Sequence, residues 1–127
     1  MLHEAATERI IGCFYKVYNT LGYGFLEKVY QNAIALELTE HGFTANPQQH
    51  IPVFYKGVVV GDYFADLMVD DQIILELKAA ESLRQEHIAQ LTNYLKATGK
   101  ELGLVLNFGK KPELRRVIYT LDQFDVD

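Results

Sequence analysis

The sequence predicts an α/β sandwich with a mixed sheet and the element order ααβββαββ. Two opening segments carry apolar residues at helical spacing, the middle of the chain switches to alternation, and one further helical segment precedes two closing strand-like runs. In the first segment, from Glu4 to Leu21, Ile10, Ile11, Phe14, Val17, Tyr18 and Leu21 form a stripe that leaves out Arg9, Lys16 and Asn19. Gly22-Tyr23-Gly24 interrupts it with two permissive glycines. Phe25, Leu26, Val29, Tyr30, Ala33, Ile34 and Leu38 then restart the helical pattern until His41-Gly42 stops it. Beyond Gly42, Ile51, Val53 and Tyr55 alternate with polar or small neighbours, Lys56-Gly57 reads as a hairpin turn, and the second arm continues from Val58 to Val69. Past Asp70-Asp71, residues 73–78 supply a further antiparallel strand. Ile88, Leu91, Leu95 and Thr98 restore helical spacing as far as Gly99, and residues 102–107 and 116–120 read as the last two strands.

A chain of 127 residues that is 49% hydrophobic holds one domain, residues 1–127, and is too short for two of ordinary size. With 23% charged residues and only 3 prolines, its composition is that of a folded chain. The longest stretch free of Asp, Glu, Lys and Arg, residues 41–55, contains Asn46, Pro47, Gln48, Gln49 and Pro52, so no membrane span is expected. The start of the chain lacks the pattern of a secretory signal, and the single cysteine, Cys13, sits among Ile10, Ile11, Phe14 and Val17 as a core residue. A cytoplasmic protein is expected. Twelve Lys and Arg against 17 acidic side chains give a net charge of −5, which disfavours indiscriminate adhesion to nucleic acid but leaves room for a local site. Lys110, Lys111, Arg115 and Arg116 read as a solvated turn, and Asp122, Asp125 and Asp127 as a frayed acidic tail.

The central hairpin carries the chemistry. Side chains two apart share one face of a strand, so Asp62, Phe64, Asp66 and Met68 are expected opposite an apolar row of Tyr63, Ala65, Leu67 and Val69. In the next strand Glu76 and Lys78 project with Ile74, while Ile73, Leu75 and Leu77 line the reverse. The two apolar rows coincide only if the connection has an odd number of residues, and a loop of residues 70–72 sets Asp66 across from Glu76, with Lys78 beside them. Adjacent carboxylates repel, which raises one pKa or demands a cation between them. Oxygen ligands favour Mg²⁺ or Mn²⁺ over zinc, and an ammonium nearby suits a phosphate; this is the equipment of metal-assisted phosphodiester hydrolysis. The same spacing also fits a solvated, salt-bridged face of an amphipathic sheet, although charges at the heart of such apolar strands require a reason.

Gly61-x4-Asp66, then Glu76-Leu77-Lys78, and on the following helix Gln90-x3-Tyr94 resemble the PD-(D/E)XK nuclease superfamily in its RecB-like branch. Gly24-Phe25-Leu26-Glu27-Lys28-Val29-Tyr30 is similar to the G-x-x-E-x-x-Y signature of the GxxExxY protein family, as are the later blocks from His87 to Gly99 and from Leu104 to Gly109. The resemblance implies a restriction-endonuclease-like core, a mixed β-sheet flanked by helices, and a nuclease that uses Mg²⁺ or Mn²⁺ to hydrolyse DNA. It implies metal ligation by Glu27, Asp66, Glu76 and the backbone carbonyl of Leu77. Lys78 would orient water and stabilise charge on the phosphate, and Gln90 and Tyr94 would position substrate or the lysine. Lys28, Lys56, His87, Lys110, Lys111, Arg115 and Arg116 are the candidate phosphate contacts. A domain this small and acidic is expected to grip a duplex only as a homodimer or with a larger protein partner. A nuclease fold retained as an interaction or accessory module is the alternative.

Overall fold

The computed structural model describes residues 2–120. Its elements run α1 (Glu4–Leu21), α2 (Glu27–Glu40), β1 (Ala45–Tyr55), β2 (Val58–Val69), β3 (Ile73–Lys78), α3 (Gln85–Thr98), β4 (Leu102–Phe108) and β5 (Pro112–Ile118). The predicted order ααβββαββ holds. The five strands form one sheet in the order β1-β2-β3-β4-β5. β1, β2 and β3 are antiparallel neighbours, β3 and β4 are parallel, and β4 and β5 are antiparallel, so the sheet is mixed. The parallel step requires a crossover, and α3 supplies it.

Both faces of the sheet are covered. Ile10, Phe14, Tyr30, Ile34 and Leu38 of α1 and α2 pack against Leu67, Val69, Leu75, Leu77, Leu104 and Leu106 on one side. Leu91 and Leu95 of α3 pack against Met68, Ile74 and Val105 on the other. Cys13 lies in the first of these clusters, as expected of a core residue. No helix among the described residues is long and apolar enough to cross a membrane.

Three local expectations need correction. β1 begins at Ala45, well before the alternating Ile51, Val53 and Tyr55, because it is an edge strand whose polar Asn46 and Gln48 are exposed and Gln49 half-buried, and they leave no apolar signal. β5 spans Pro112–Ile118 and not residues 116–120, so Arg115 and Arg116 belong to a strand and only Lys110 and Lys111 to the turn; as the other edge, β5 tolerates charge. The apolar row of β2 is also not continuous. Leu67 and Val69 pack with α1 and α2, whereas Ala65 packs with α3 and Tyr63 meets the ring of Tyr94 at 5.8 Å. Alternation breaks at Asp66, where pairing lapses on both sides. The β1 ladder skips from Pro47↔Leu67 to Gln49↔Ala65, with Gln48 at φ 51, and the β3 ladder ends at Leu67↔Leu75. The acidic run Asp122, Asp125 and Asp127 lies outside the described residues.

Candidate active site

The site is built where β2 leaves β3. The Asp70 to Gln72 loop has the expected length, with Asp70 and Asp71 at φ 52 and 54, and the register would pair Asp66 with Glu76 next. The backbones part there instead, and side chains replace the missing ladder bonds. The Asp66 amide donates to Glu76 Oε2 at 2.7 Å, and the Leu77 amide donates to Asp66 Oδ2 at 2.7 Å. Each carboxylate thus satisfies a backbone N–H that the splayed strands would otherwise orphan. Asp66 Oδ1 and Glu76 Oε1 have no hydrogen-bond partner among the described residues.

Glu76 is only 3% exposed. Burial, reinforced by the neighbouring Asp66 charge, pushes its carboxyl up to about 8, against the opposing pull of the Asp66 amide and Lys78. Burial also raises Asp66, whose bond from Leu77 and proximity to Lys78 work the other way. The pair therefore retains a proton near neutrality, and Glu76, the more buried partner, holds it.

α3 adds a chain of polar contacts. Lys78 Nζ donates to Gln90 Oε1 at 3.3 Å, and Gln90 Nε2 donates to Tyr94 Oη at 3.1 Å. Gln90 and Tyr94 share a helix face because they lie one turn apart. Burial, with the nearby Glu76 and Asp66 charges, pushes the Tyr94 phenol up to about 12, so it stays protonated.

Glu27 is brought alongside by the loop between α1 and α2. Gly24 sits at φ 111, open to glycine and strained for other residues. Tyr30 Oη donates to the Gly22 carbonyl at 2.6 Å and accepts the Phe25 amide at 3.2 Å, pinning the loop from within. Glu27, the first residue of α2, is exposed, and its charge raises both Asp66 and Glu76, while that of Lys28 lowers Asp66. Among the described residues no three acidic, histidine or cysteine side chains converge closely enough to hold an ion by themselves. Glu27 thus stands beside the carboxylate pair and not within it. A cleft of about 670 Å³ opens next to it, bounded by Tyr23, Phe25, Ala79, Glu81 and Lys110.

Other residues hold this frame. Asn107, fully buried in β4, clamps Ala80 from both sides: Ala80 N–H donates to its Oδ1 at 2.9 Å, and its Nδ2 donates to the Ala80 carbonyl at 2.9 Å. A Cβ on Gly109 would lie 2.4 Å from the Ala80 oxygen, so only glycine passes there. Phe108 stacks on Tyr30 at 4.2 Å. The sequence contained a signal for Asn107, a lone amide in an otherwise aliphatic strand. It contained none for Tyr63, whose contact with Tyr94 depends on the break at Asp66.

The candidate phosphate contacts are dispersed. Lys28 and Lys110 border the site or its cleft. His87 is engaged in the α3 cap, its Nδ1 accepting the Arg84 amide at 3.1 Å. Lys56 sits at the hairpin tip over the Tyr55 ring, on the order of 30 Å along the arm from Asp66 at ~3.3 Å per residue. Lys111 lies in the β4–β5 turn, exposed. Arg115 and Arg116 point to opposite faces of β5, and Arg116 Nη2 donates to the Leu2 carbonyl at 2.9 Å. These residues do not form one basic patch.

Comparison with known proteins agrees with this architecture. The profile described as the PD-(D/E)XK nuclease superfamily matches residues 4–117. An alkaline exonuclease from Laribacter hongkongensis superposes with a TM-score of 0.56 at 14% identity, over 77% of this chain and 58% of its own. The crystal structure of SSO0001 superposes with a TM-score of 0.58 at 16% identity, over 97% of this chain and 62% of its own. The chain thus spans about three fifths of the length of these two structures, and at such identity the likeness shows the fold alone. No curated protein matches the chain.

Proposed function

From the premise that this chain belongs to the PD-(D/E)XK nuclease superfamily, we propose that it is a metal-dependent phosphodiesterase that hydrolyses DNA, of the RecB-like branch and the GxxExxY family. Residues 1–127 form its single nuclease domain. The observation that carries this reading is the Asp66–Glu76 pair at the parting of β2 and β3, with Lys78 alongside.

The donor set fits Mg²⁺ or Mn²⁺. Asp66 and Glu76 offer oxygens only, each with one to spare, and the proton that burial leaves on Glu76 is one a cation would displace. In an extended strand the amide and carbonyl of one residue point the same way, so Leu77, whose amide reaches Asp66, would offer its carbonyl to the same ion. Glu27 would complete the set from α2, through water. A cation held there supplies Lewis acidity to a phosphate oxygen and to the attacking water.

The remaining work belongs to the chain itself. Lys78 sets a positive charge against the phosphate, Gln90 aims the Lys78 ammonium through its amide oxygen, and Tyr94 fixes Gln90. Lys28 and Lys110 are the phosphate contacts nearest this centre; Lys56, His87, Lys111, Arg115 and Arg116 would touch a longer substrate. A homodimer or a larger protein partner would gather such dispersed charge.

Nicking of plasmid and oligonucleotide DNA in Mn²⁺ tests the reading. Wild type is expected to cut, and Asp66→Ala and Glu76→Ala are each expected to lose at least about a hundredfold in rate, some 3 kcal/mol of barrier. A second reading, the nuclease fold as an interaction or accessory module, draws on the carboxylates already being bonded to backbone amides. Wild type and Asp66→Ala that are equally inert, although calorimetry shows Mn²⁺ bound to wild type, would favour it.

A further inference from the structure

Beyond Asp66 and Gln49 the β1–β2 hairpin pairs only with itself, while Ile51 and Ala65 at its base stay packed against Leu91, Tyr94 and Leu95 of α3. Between this arm and α3 lies a cleft of about 720 Å³, within the ordinary range for a small-molecule site. Its walls are aromatic: Phe54 and Tyr63 from the arm and Tyr94 from the helix. Phe54 is 61% exposed and Tyr63 50%, large apolar faces left in water at some free-energy cost unless something covers them. On the helix side Ala89 and Ala97 are small and leave the space open, while Gln90 and Asn93 offer amides. The Asn93 amide makes no hydrogen bond among the described residues, so both its donor and its acceptor are available. One acid, Glu86, and one base, Lys96, border the cleft and balance in charge.

These features distinguish a base from a phosphate. A phosphate needs cations or converging N–H groups, whereas a nucleobase needs a flat π-face and an amide to meet its edge. The cleft also adjoins the centre already described, because Gln90 and Tyr94 line it and Gln90 Oε1 accepts from Lys78 Nζ. Bases in a duplex present only their edges, so a cleft that stacks on faces selects an unpaired one.

We propose that the aromatic cleft between the β1–β2 arm and α3 is a nucleobase subsite, and that the enzyme acts on a single strand or an unpaired end with the base next to the scissile phosphate stacked on Tyr63 and Phe54. This rests on the nuclease reading, which assigns the phosphate to Lys78.

The test uses the full chain in Ca²⁺ and three oligonucleotide probes: a single strand carrying 2-aminopurine, the same sequence as a duplex, and an abasic strand of equal length. The single strand is expected to bind at least about tenfold more tightly than the other two, with quenching of 2-aminopurine. Tyr63→Leu, which keeps apolar volume without a π-face, should lose roughly tenfold in single-strand affinity and most of the quenching, whereas Tyr63→Phe retains both. Circular dichroism of each variant verifies the fold. Equal binding of the abasic strand, or an unaltered Tyr63→Leu, overturns the subsite. So does a Phe54→Ala or Tyr63→Leu variant that turns a dimer into a monomer in sedimentation while single-strand affinity is unchanged, since the cleft is then a protein interface. Cleavage in Mn²⁺ separates the two claims. Base-dependent binding without any Asp66-dependent cutting defeats the nuclease reading alone, and Asp66-dependent cutting with equal use of all three probes defeats the subsite alone.

Discussion

Glu76 is the residue at which burial, charge and hydrogen bonding meet, and its protonation makes a solution prediction. Its folded-state value of about 8 lies above the ordinary 4.5, so the folded chain holds a proton that the unfolded chain releases. The contribution of this group to stability is fully present below about 4.5 and is lost as pH rises through about 8, a change of several kcal/mol in the metal-free protein. Urea melts between pH 5 and 9 should show this decline, and Glu76→Gln should flatten it. Mn²⁺, by replacing the proton, should stabilise wild type more at pH 8 than at pH 6, a difference that thermal melts with and without the ion would reveal. Gln90 offers a second prediction at this scale. Gln90→Ala removes the acceptor that aims Lys78 and leaves the carboxylates in place, so cleavage should slow by roughly tenfold, ~1.4 kcal/mol, while Mn²⁺ affinity by calorimetry stays the same. Both pairings were legible in the sequence, Asp66 with Glu76 from parity across an odd loop and Gln90 with Tyr94 from helical spacing. Their hydrogen bonds to one another and to backbone amides were not, because those depend on where the strands separate.

At the scale of elements, the pattern G-x-x-E-x-x-Y describes a loop and a helix start locked together. Tyr30→Phe keeps the ring stacked on Phe108 but removes both bonds to the loop, so it should cost about 1–2 kcal/mol and speed amide exchange at residues 22–26. Asn107→Leu should cost more, about 2–4 kcal/mol, because it leaves both Ala80 backbone groups without partners next to the site; denaturant melts of the two variants would rank them. The helices and the hairpin were readable because each obeys one period. The edge strands were not, since β1 and β5 face water on one side and carry proline or charge where a central strand carries valine or leucine.

For the molecule as a whole, a net charge of −5 and the scattering of its cations predict weak grip on a duplex. With Lys28 and Lys110 near the centre and Arg116 bonded to Leu2, few phosphates are met at once. The slope of log affinity against log salt for duplex DNA should therefore be no steeper than about −3, measured by anisotropy between 50 and 200 mM salt. The sequence by itself determined the order of elements, the coverage of a mixed sheet by helices, and the meeting of two acids across a hairpin, because periodicity and parity are local properties of a chain. Only the tertiary structure decided that the ladder stops at Leu67, that Tyr63 and Ala65 turn toward α3 while Leu67 turns away, and that the arm beyond them leaves an aromatic cleft. Those outcomes follow from competition between backbone pairing and buried carboxylates for the same amides, which no single segment contains.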